Sequence, residues 1–276
     1  MTTTWRCLLD SSKTVLGLVG SPNREGRTNQ LVTAALRGAA SAGAPTELVQ
    51  MADHVVAACK DCQPWVCLTN LKCAYGDPAF DYLREKVLAA GALVLGGPVY
   101  WWDTSGMVRY FILKMFRLYA RSAPLRGMPA LGLAIAGGSG TGLVSGLRPL
   151  YHFFQIMQMR ALEPVPATRF NFDAALGRSE ELGGKLAEMS SERRPFKSLA
   201  ERLVWYDSLP YLSLSLAEEI RLTADLVTAS LPPGTEPELA RRLARADAIW
   251  AAGGTAEALD EVWRVYGAAF KASSSG

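Results

Sequence analysis

The sequence predicts an α/β fold built on a five-stranded parallel sheet, followed by a helical C-terminal extension. Short apolar runs alternate with helix-period segments from Thr14 to about Phe172, the order that makes a parallel sheet with crossover helices. Two of these runs, Ala92–Gly96 and Pro129–Ala136, are continuously apolar, as strands covered on both faces are. Beyond Gly177 the strand-like runs stop and the apolar spacing becomes wholly helical.

The elements follow in order. Thr14–Gly20 reads as the first strand and Gln30–Ala42 as an amphipathic first helix. Pro45–Met51 is a shorter second strand. Asp77 opens a helix through Phe80, Leu83, Val87 and Leu88. Strand three is Ala92–Gly96, and Ser105 caps a helix carrying Val108, Phe111, Ile112, Met115 and Phe116. Strand four is Pro129–Ala136, with a helix over about Leu147–Met159 after it and a fifth strand within Ala161–Phe170. Leu182–Met189 closes the α/β unit, and Arg193-Arg194-Pro195 breaks the chain. Four helices are expected next: Leu199–Tyr206, Leu216–Ser230, Glu236–Trp250 and Thr255–Ala269, separated by Pro232-Pro233-Gly234 and Gly253-Gly254. Their apolar stripes suit packing on the parent domain or on a partner subunit.

Composition narrows the class. The chain has 276 residues, 49% hydrophobic and 20% charged, with a net charge of +3. That balance is ordinary for a globular protein and gives no reason to expect nucleic acid or a membrane surface as a partner. No run approaches the length of a membrane span, and Met1–Asp10 does not read as a signal peptide. Five cysteines, four of them within Cys59–Cys73, argue against a disulfide framework and for metal or redox use in a reducing cytoplasm. Cys7 stands apart from the rest. With only His54 and His152, a histidine-based metal site is not expected, and both read as satisfied polar groups.

Three segments directly follow strands and so converge on one sheet edge, where ligands of such folds bind. Gly20–Asn29 offers Ser, Thr and Asn side chains, helix N-terminal amides, and Arg24 and Arg27, all suited to an anion. Gly97–Gly106 contributes the aromatic run Tyr100-Trp101-Trp102. Gly137–Gly142 contributes bare backbone. Taken singly, the first segment is equally a plain connector and the aromatics equally core. Together they suit a flat, phosphorylated aromatic cofactor. Asp103 reads either as a proton donor or acceptor or as part of the following helix start.

These motifs, Gly20-Ser21-Pro22 with Gly26-x-Thr28-Asn29, Gly97-Pro98-Val99-Tyr100-Trp101 and the glycine loop after strand four, resemble the NADPH-dependent FMN reductase family. The cysteine run after strand two resembles, more narrowly, the iron–sulfur flavoproteins of that flavodoxin-like superfamily. The resemblance spans about residues 14–175. It implies a doubly wound flavodoxin-like domain over 10–190, with a cysteine loop at 59–73 and a helical extension over 191–276. It also implies that Ser21, Arg24, Arg27, Thr28 and Asn29 surround the FMN phosphate. Pro98, Val99, Tyr100 and Trp101 would line the isoalloxazine ring, and Gly137, Gly138, Ser139 and Gly140 its other side. Arg27 stands where relatives carry asparagine, so it is either a phosphate ligand or a solvated residue.

Cys59-x2-Cys62-x4-Cys67-x5-Cys73 has the compactness of a cluster loop, and thiolates are the usual [4Fe-4S] ligands. The iron–sulfur flavoproteins space the middle pair by two residues, whereas here Gln63-Pro64-Trp65-Val66 intervene. Zinc and four unligated thiols are the other readings. The implied function is an FMN-dependent oxidoreductase passing electrons from NAD(P)H or a ferredoxin-like donor, with or without the cluster, to a small-molecule or protein acceptor. No side-chain catalytic group is called for. The rival readings are a non-catalytic flavodoxin-like electron carrier and a cysteine-based metal or redox sensor. The expected assembly is a homodimer or homotetramer.

Overall fold

The computed structural model describes residues 13–232, 234 and 236–274; Cys7 lies outside them. The central strands are β1 (Val15–Val19), β2 (Thr46–Gln50), β3 (Ala92–Tyr100) and β5 (Pro129–Ala136). Their order is β2-β1-β3-β5, all parallel, with Val15 beside Thr46 and Ala92 and with Leu93 beside Ala130. The fifth position is split. β6 (Arg160–Ala161) and β7 (Val165–Thr168) both pair with β5, interrupted by Leu162-Glu163-Pro164. A short antiparallel piece, β4 (Asp103–Thr104), folds back on the end of β3.

Alternate residues of the buried strands feed two cores, as a period of two demands. Leu16, Leu18, Leu93 and Leu95 face α3 (Pro78–Ala89), α4 (Gly106–Tyr119) and α5 (Leu143–Ile156), where Phe80, Phe111, Met115, Leu147 and Phe154 are buried. Val15, Val19, Ala92 and Val94 face α1 (Arg27–Ser41) and α6 (Phe172–Ser190), with Leu31, Val32, Leu182 and Leu186. The fold is therefore the doubly wound flavodoxin-like one. A single turn of helix within the cysteine loop is α2 (Cys67–Asn70).

Several elements start or end elsewhere than their sequences suggest. Helix α1 begins at Arg27 rather than Gln30, so Thr28 and Asn29 lie in its first turn. Strand β3 runs on to Tyr100, which puts Pro98 and Val99 in the strand. Helix α5 begins at Leu143 rather than Leu147 and carries Pro149 in its interior. Helix α6 begins ten residues before Leu182 and runs through its glycines, of which Gly183 packs directly on α1. A Cβ on Gly183 would lie 1.8 Å from the Ala35 carbonyl oxygen, and one on Gly38 1.8 Å from that of Glu180. The two helices cross backbone to backbone.

The extension comprises α7 (Leu199–Asp207), α8 (Leu216–Ala229), α9 (Glu236–Ala251) and α10 (Thr255–Ser273). Helix α7 lies against the split strand: the Trp205 indole donates to the Ala161 carbonyl at 3.0 Å and the Tyr206 hydroxyl to that of Met159 at 2.8 Å. Helices α8–α10 share a third core with Ala224, Val227, Leu239, Leu243, Val262 and Val265. Among the described residues no helix is long and apolar enough to cross a membrane.

Candidate functional site

Because β1, β3, β5 and β7 run parallel and in register, the loops after them meet at one edge of the sheet. The first loop is pinned at its root. Gly20 N–H donates to the Gly96 carbonyl at 2.8 Å, and the Ser105 hydroxyl donates to the Gly20 carbonyl at 2.6 Å. Nothing but glycine fits at position 20, since a Cβ there would lie 2.1 Å from Val108 Cγ2. Ser21 and Thr28 are buried, while Arg24 and Arg27 are exposed. Arg24 pairs with Asp53, in the turn after β2. The Arg27 guanidinium lies 5.7 Å from the Phe172 ring centroid, and Arg27 and Arg169 line an open cavity of about 500 Å³ beside the loop. Asn29 accepts from the Thr33 hydroxyl at 3.0 Å. The first-turn amides of α1 have no intrahelical acceptors, and Gly26 brings no side chain to cap them.

The aromatic segment is a hairpin. Tyr100 pairs with Asp103, leaving Trp101 and Trp102 as a two-residue turn with φ of +54° and +63°. Positive φ at both positions is the type I′ pattern, which favours glycine and asparagine. Here two tryptophans hold it, Trp101 95% exposed, at a backbone cost of about 1–2 kcal/mol per residue. Asp103 supports the turn: it accepts from its neighbour Thr104 N–H at 2.6 Å and from Arg109 Nη2 at 2.7 Å. Asp103 is thus a hairpin brace, and Ser105 is the cap of α4, accepting from Val108 N–H.

The third loop, Gly137–Gly142, faces this hairpin across a cleft of about 210 Å³. Val99, Trp101 and Trp102 form one wall and residues 136–141 the other. The structure therefore brings the aromatic and glycine segments together, with Gly137 close to Arg27 of the first loop. Pro98 and Tyr100 occupy the end of β3 beside the cleft.

The four cysteines lie elsewhere, between the turn after β2 and α4. Cys59, Cys62, Cys67 and Cys73 all line one cavity of about 200 Å³, together with Lys60, Lys114 and Arg117. They are free thiols, and among the described residues no three His, Cys, Asp or Glu side chains are gathered as a metal-binding group. Burial pushes the Cys67 thiol up, and the proximity of Cys62 and Cys59 pushes it the same way. The cavity is bounded by a buried pair, Lys114 with Asp77, and Asp77 also accepts from Ala57 N–H at 3.0 Å and Phe80 N–H at 3.1 Å. His54 stacks on Tyr82 with centroids 4.0 Å apart. Burial, then Arg148 and Arg109, hold His152 below the usual imidazole value.

Sequence reading missed the residues that hold the glycine loop from the extension: Glu219, Thr223 and Tyr266. The signal was available, since Glu219 shares one face of α8 with Thr223 and Val227 at i, i+4, i+8, a charge on an apolar stripe.

The sequence profile described as NADPH-dependent FMN reductase matches residues 14–170, which include all three edge loops. The chain belongs to the NADPH-dependent FMN reductase family. An iron–sulfur flavoprotein of Methanocaldococcus jannaschii is 31% identical over 199 residues, covering 63% of this chain and 96% of that relative. Among solved structures, a flavone reductase superposes with a TM-score of 0.52 at 16% identity, covering 66% of each chain. An NAD(P)H:quinone oxidoreductase from Methanothermobacter marburgensis gives a TM-score of 0.50 at 16% identity, covering 63% of this chain and 95% of that one. These two show the fold. Family membership makes the chain an FMN-dependent oxidoreductase, and the edge is chemically fit for that cofactor. Uncapped helix amides, buried Ser21 and Thr28, and two arginines answer a phosphate, while the aromatic-and-glycine cleft answers a flat ring.

Proposed function

We propose that FMN occupies the edge formed by the three loops and that the protein uses it to move electrons from NAD(P)H or a ferredoxin-like donor to an acceptor. The carrying observation is the cleft between the Trp101–Trp102 hairpin and residues 136–141, opening next to the uncapped N-terminus of α1. In this reading Ser21, Arg24, Arg27, Thr28 and Asn29 hold the phosphate. Arg24 does so while oriented by Asp53. Val99, Tyr100 and Trp101, with Pro98 at their root, wall one face of the ring, and Gly137, Gly138, Ser139 and Gly140 the other. The flavin supplies the hydride and electron chemistry, so the protein needs only to bind, orient and screen it from water. No histidine, serine or cysteine is required as base or nucleophile.

The same proposal extends to the cysteine cavity, where Cys59, Cys62, Cys67 and Cys73 would ligate an iron–sulfur cluster. Its support is the convergence of four thiols on one cavity with a cationic wall, and the iron–sulfur flavoprotein among the relatives. Ligation requires the loop to draw the thiols closer and Cys67 to lose its proton. For assembly, we assign self-association to the groove of about 330 Å³ between α4 and α5, where Tyr110, Leu113, Phe116 and Ile156 are exposed. A dimeric or tetrameric mass in light scattering is expected; a monomer rejects this assignment.

The test is anaerobic purification with absorption spectroscopy and iron and sulfide analysis. Flavin bands, and reoxidation of NADPH or of a reduced ferredoxin by the FMN-loaded protein, are expected. A colourless protein that takes up no FMN overturns the reading. Flavin without iron or sulfide overturns the cluster alone.

A further inference from the structure

The N-terminus of α5 begins at Gly142, whose φ is +79° and which has no side chain to cap the helix. The cap comes from 75 residues away. Glu219 of α8, wholly buried, accepts from Val144 N–H at 2.9 Å and Ser145 N–H at 3.3 Å on Oε1, and from the Ser145 hydroxyl at 2.9 Å on Oε2. None of the ion pairs among the described residues includes Glu219. A buried carboxylate is tolerated only where donors and opposing charge meet it, and here the helix end supplies both. Two further contacts reach the same loop. The Tyr266 hydroxyl of α10 donates to the Ser139 carbonyl at 2.9 Å, and Thr223 Oγ1, whose single proton is shared with the Glu219 carbonyl at 2.9 Å, reaches the Gly140 carbonyl at 3.4 Å.

We propose that Glu219, with Thr223 and Tyr266, is a positioning residue for the flavin cleft, so that FMN binding and docking of the C-terminal helices are energetically coupled. The proposal rests on the FMN reading above. Residues 136–141 form one wall of the cleft, and every one of these contacts lands on that loop or on the first turn just after it. Holding the Ser139 carbonyl toward α10 turns the Gly140 N–H of the same planar peptide the opposite way, away from the extension. All three clamp residues lie outside the segment matched by the family profile, so the clamp is an addition to the family's core. Coupling is reciprocal: whatever FMN gains from a fixed loop, the docked helices gain from FMN.

The test uses the full-length protein with E219A, E219Q and Y266F, titrated with FMN by flavin fluorescence. Visible circular dichroism of the bound flavin and amide hydrogen exchange, with and without FMN, accompany the titrations. FMN should slow exchange in α8 and α10 as well as at residues 139–146. E219A should weaken FMN binding by about tenfold, alter the circular dichroism and speed exchange at Val144 and Ser145. E219Q, which keeps an acceptor, should fall between, and Y266F should lose about threefold. If E219A does not fold, E219Q and Y266F decide. Variants that bind FMN with wild-type affinity and circular dichroism overturn the clamp while leaving the FMN reading intact. So does exchange in α8 and α10 that FMN leaves unchanged. Wild-type protein that binds no FMN overturns both.

Discussion

The glycine loop and the cysteine loop both look like sites in the sequence, and the fold treats them in opposite ways. Residues 137–142 and the helix turn after them are held by side chains from two distant helices, opposite the hairpin they face. The stretch from Cys59 to Cys73 is anchored mainly at its flanks, by Asp77 to Ala57 and α4, and inside by Asp61, which takes Arg117 at 2.6 Å and the Trp65 indole at 3.1 Å. Its thiols share a cavity without closing on a common point. A site lined by backbone must be prearranged by its neighbours, because backbone groups cannot reorient alone. A site made of thiols leaves its final geometry to the ion that gathers them.

The largest effect should come from cutting the anchor of the cysteine region. Asp77→Ala strands the buried Lys114 ammonium and uncaps α3, and denaturant unfolding should show a loss of about 3–5 kcal/mol. Burial raises the Asp77 carboxyl pKa, but the Lys114 bond, the Phe80 and Ala57 amides and the Lys114 charge outweigh it and hold it below the usual aspartate value. That stability is therefore complete above the unfolded value of about 3.9 and is lost as pH falls through the folded one. Asp77→Asn should lack that component of acid lability, visible in stability measured from pH 6 downward to about 3.

Next comes the frame under the flavin edge. Gly183→Ala forces α6 off α1 and should lose about 1–3 kcal/mol in the same measurement, with the cysteine region unaffected in its exchange pattern. A smaller effect has the opposite sign. Trp101→Gly relieves a left-handed backbone at a side chain that buries almost nothing, and should raise stability by about 1 kcal/mol while weakening FMN binding. The smallest effect should come from replacing all four cysteines by serine, which should leave FMN affinity within about twofold, less than a single hydrogen bond is worth. A large loss there would show that the two regions are not separate.

Much of this was legible because it rests on local patterns. The apolar strands, the Ser105 cap and the four C-terminal helices are each written in neighbouring residues, and the edge loops follow from strand direction. What escaped depends on residues far apart in sequence. The close approach of α6 to α1 at Gly183 is invisible until the two helices are seen together, and α5 starts four residues before Leu147. The aromatic run was legible but not the positive φ of its turn, and the charge of Glu219 on an apolar stripe did not tell which helix end, 75 residues earlier, it would meet. The cysteine spacing puts four thiols in one loop, and they line one cavity, but spacing alone does not fix how near the thiols come.

The split fifth strand has a consequence for how copies of this protein meet. An edge strand is normally an invitation for another chain to add itself to the sheet. At this edge Pro164 interrupts the strand and Pro166 removes a donor within β7, while Trp205 and Tyr206 occupy the Ala161 and Met159 carbonyls. The sheet is sealed on that flank, and any assembly there has to proceed through helical faces.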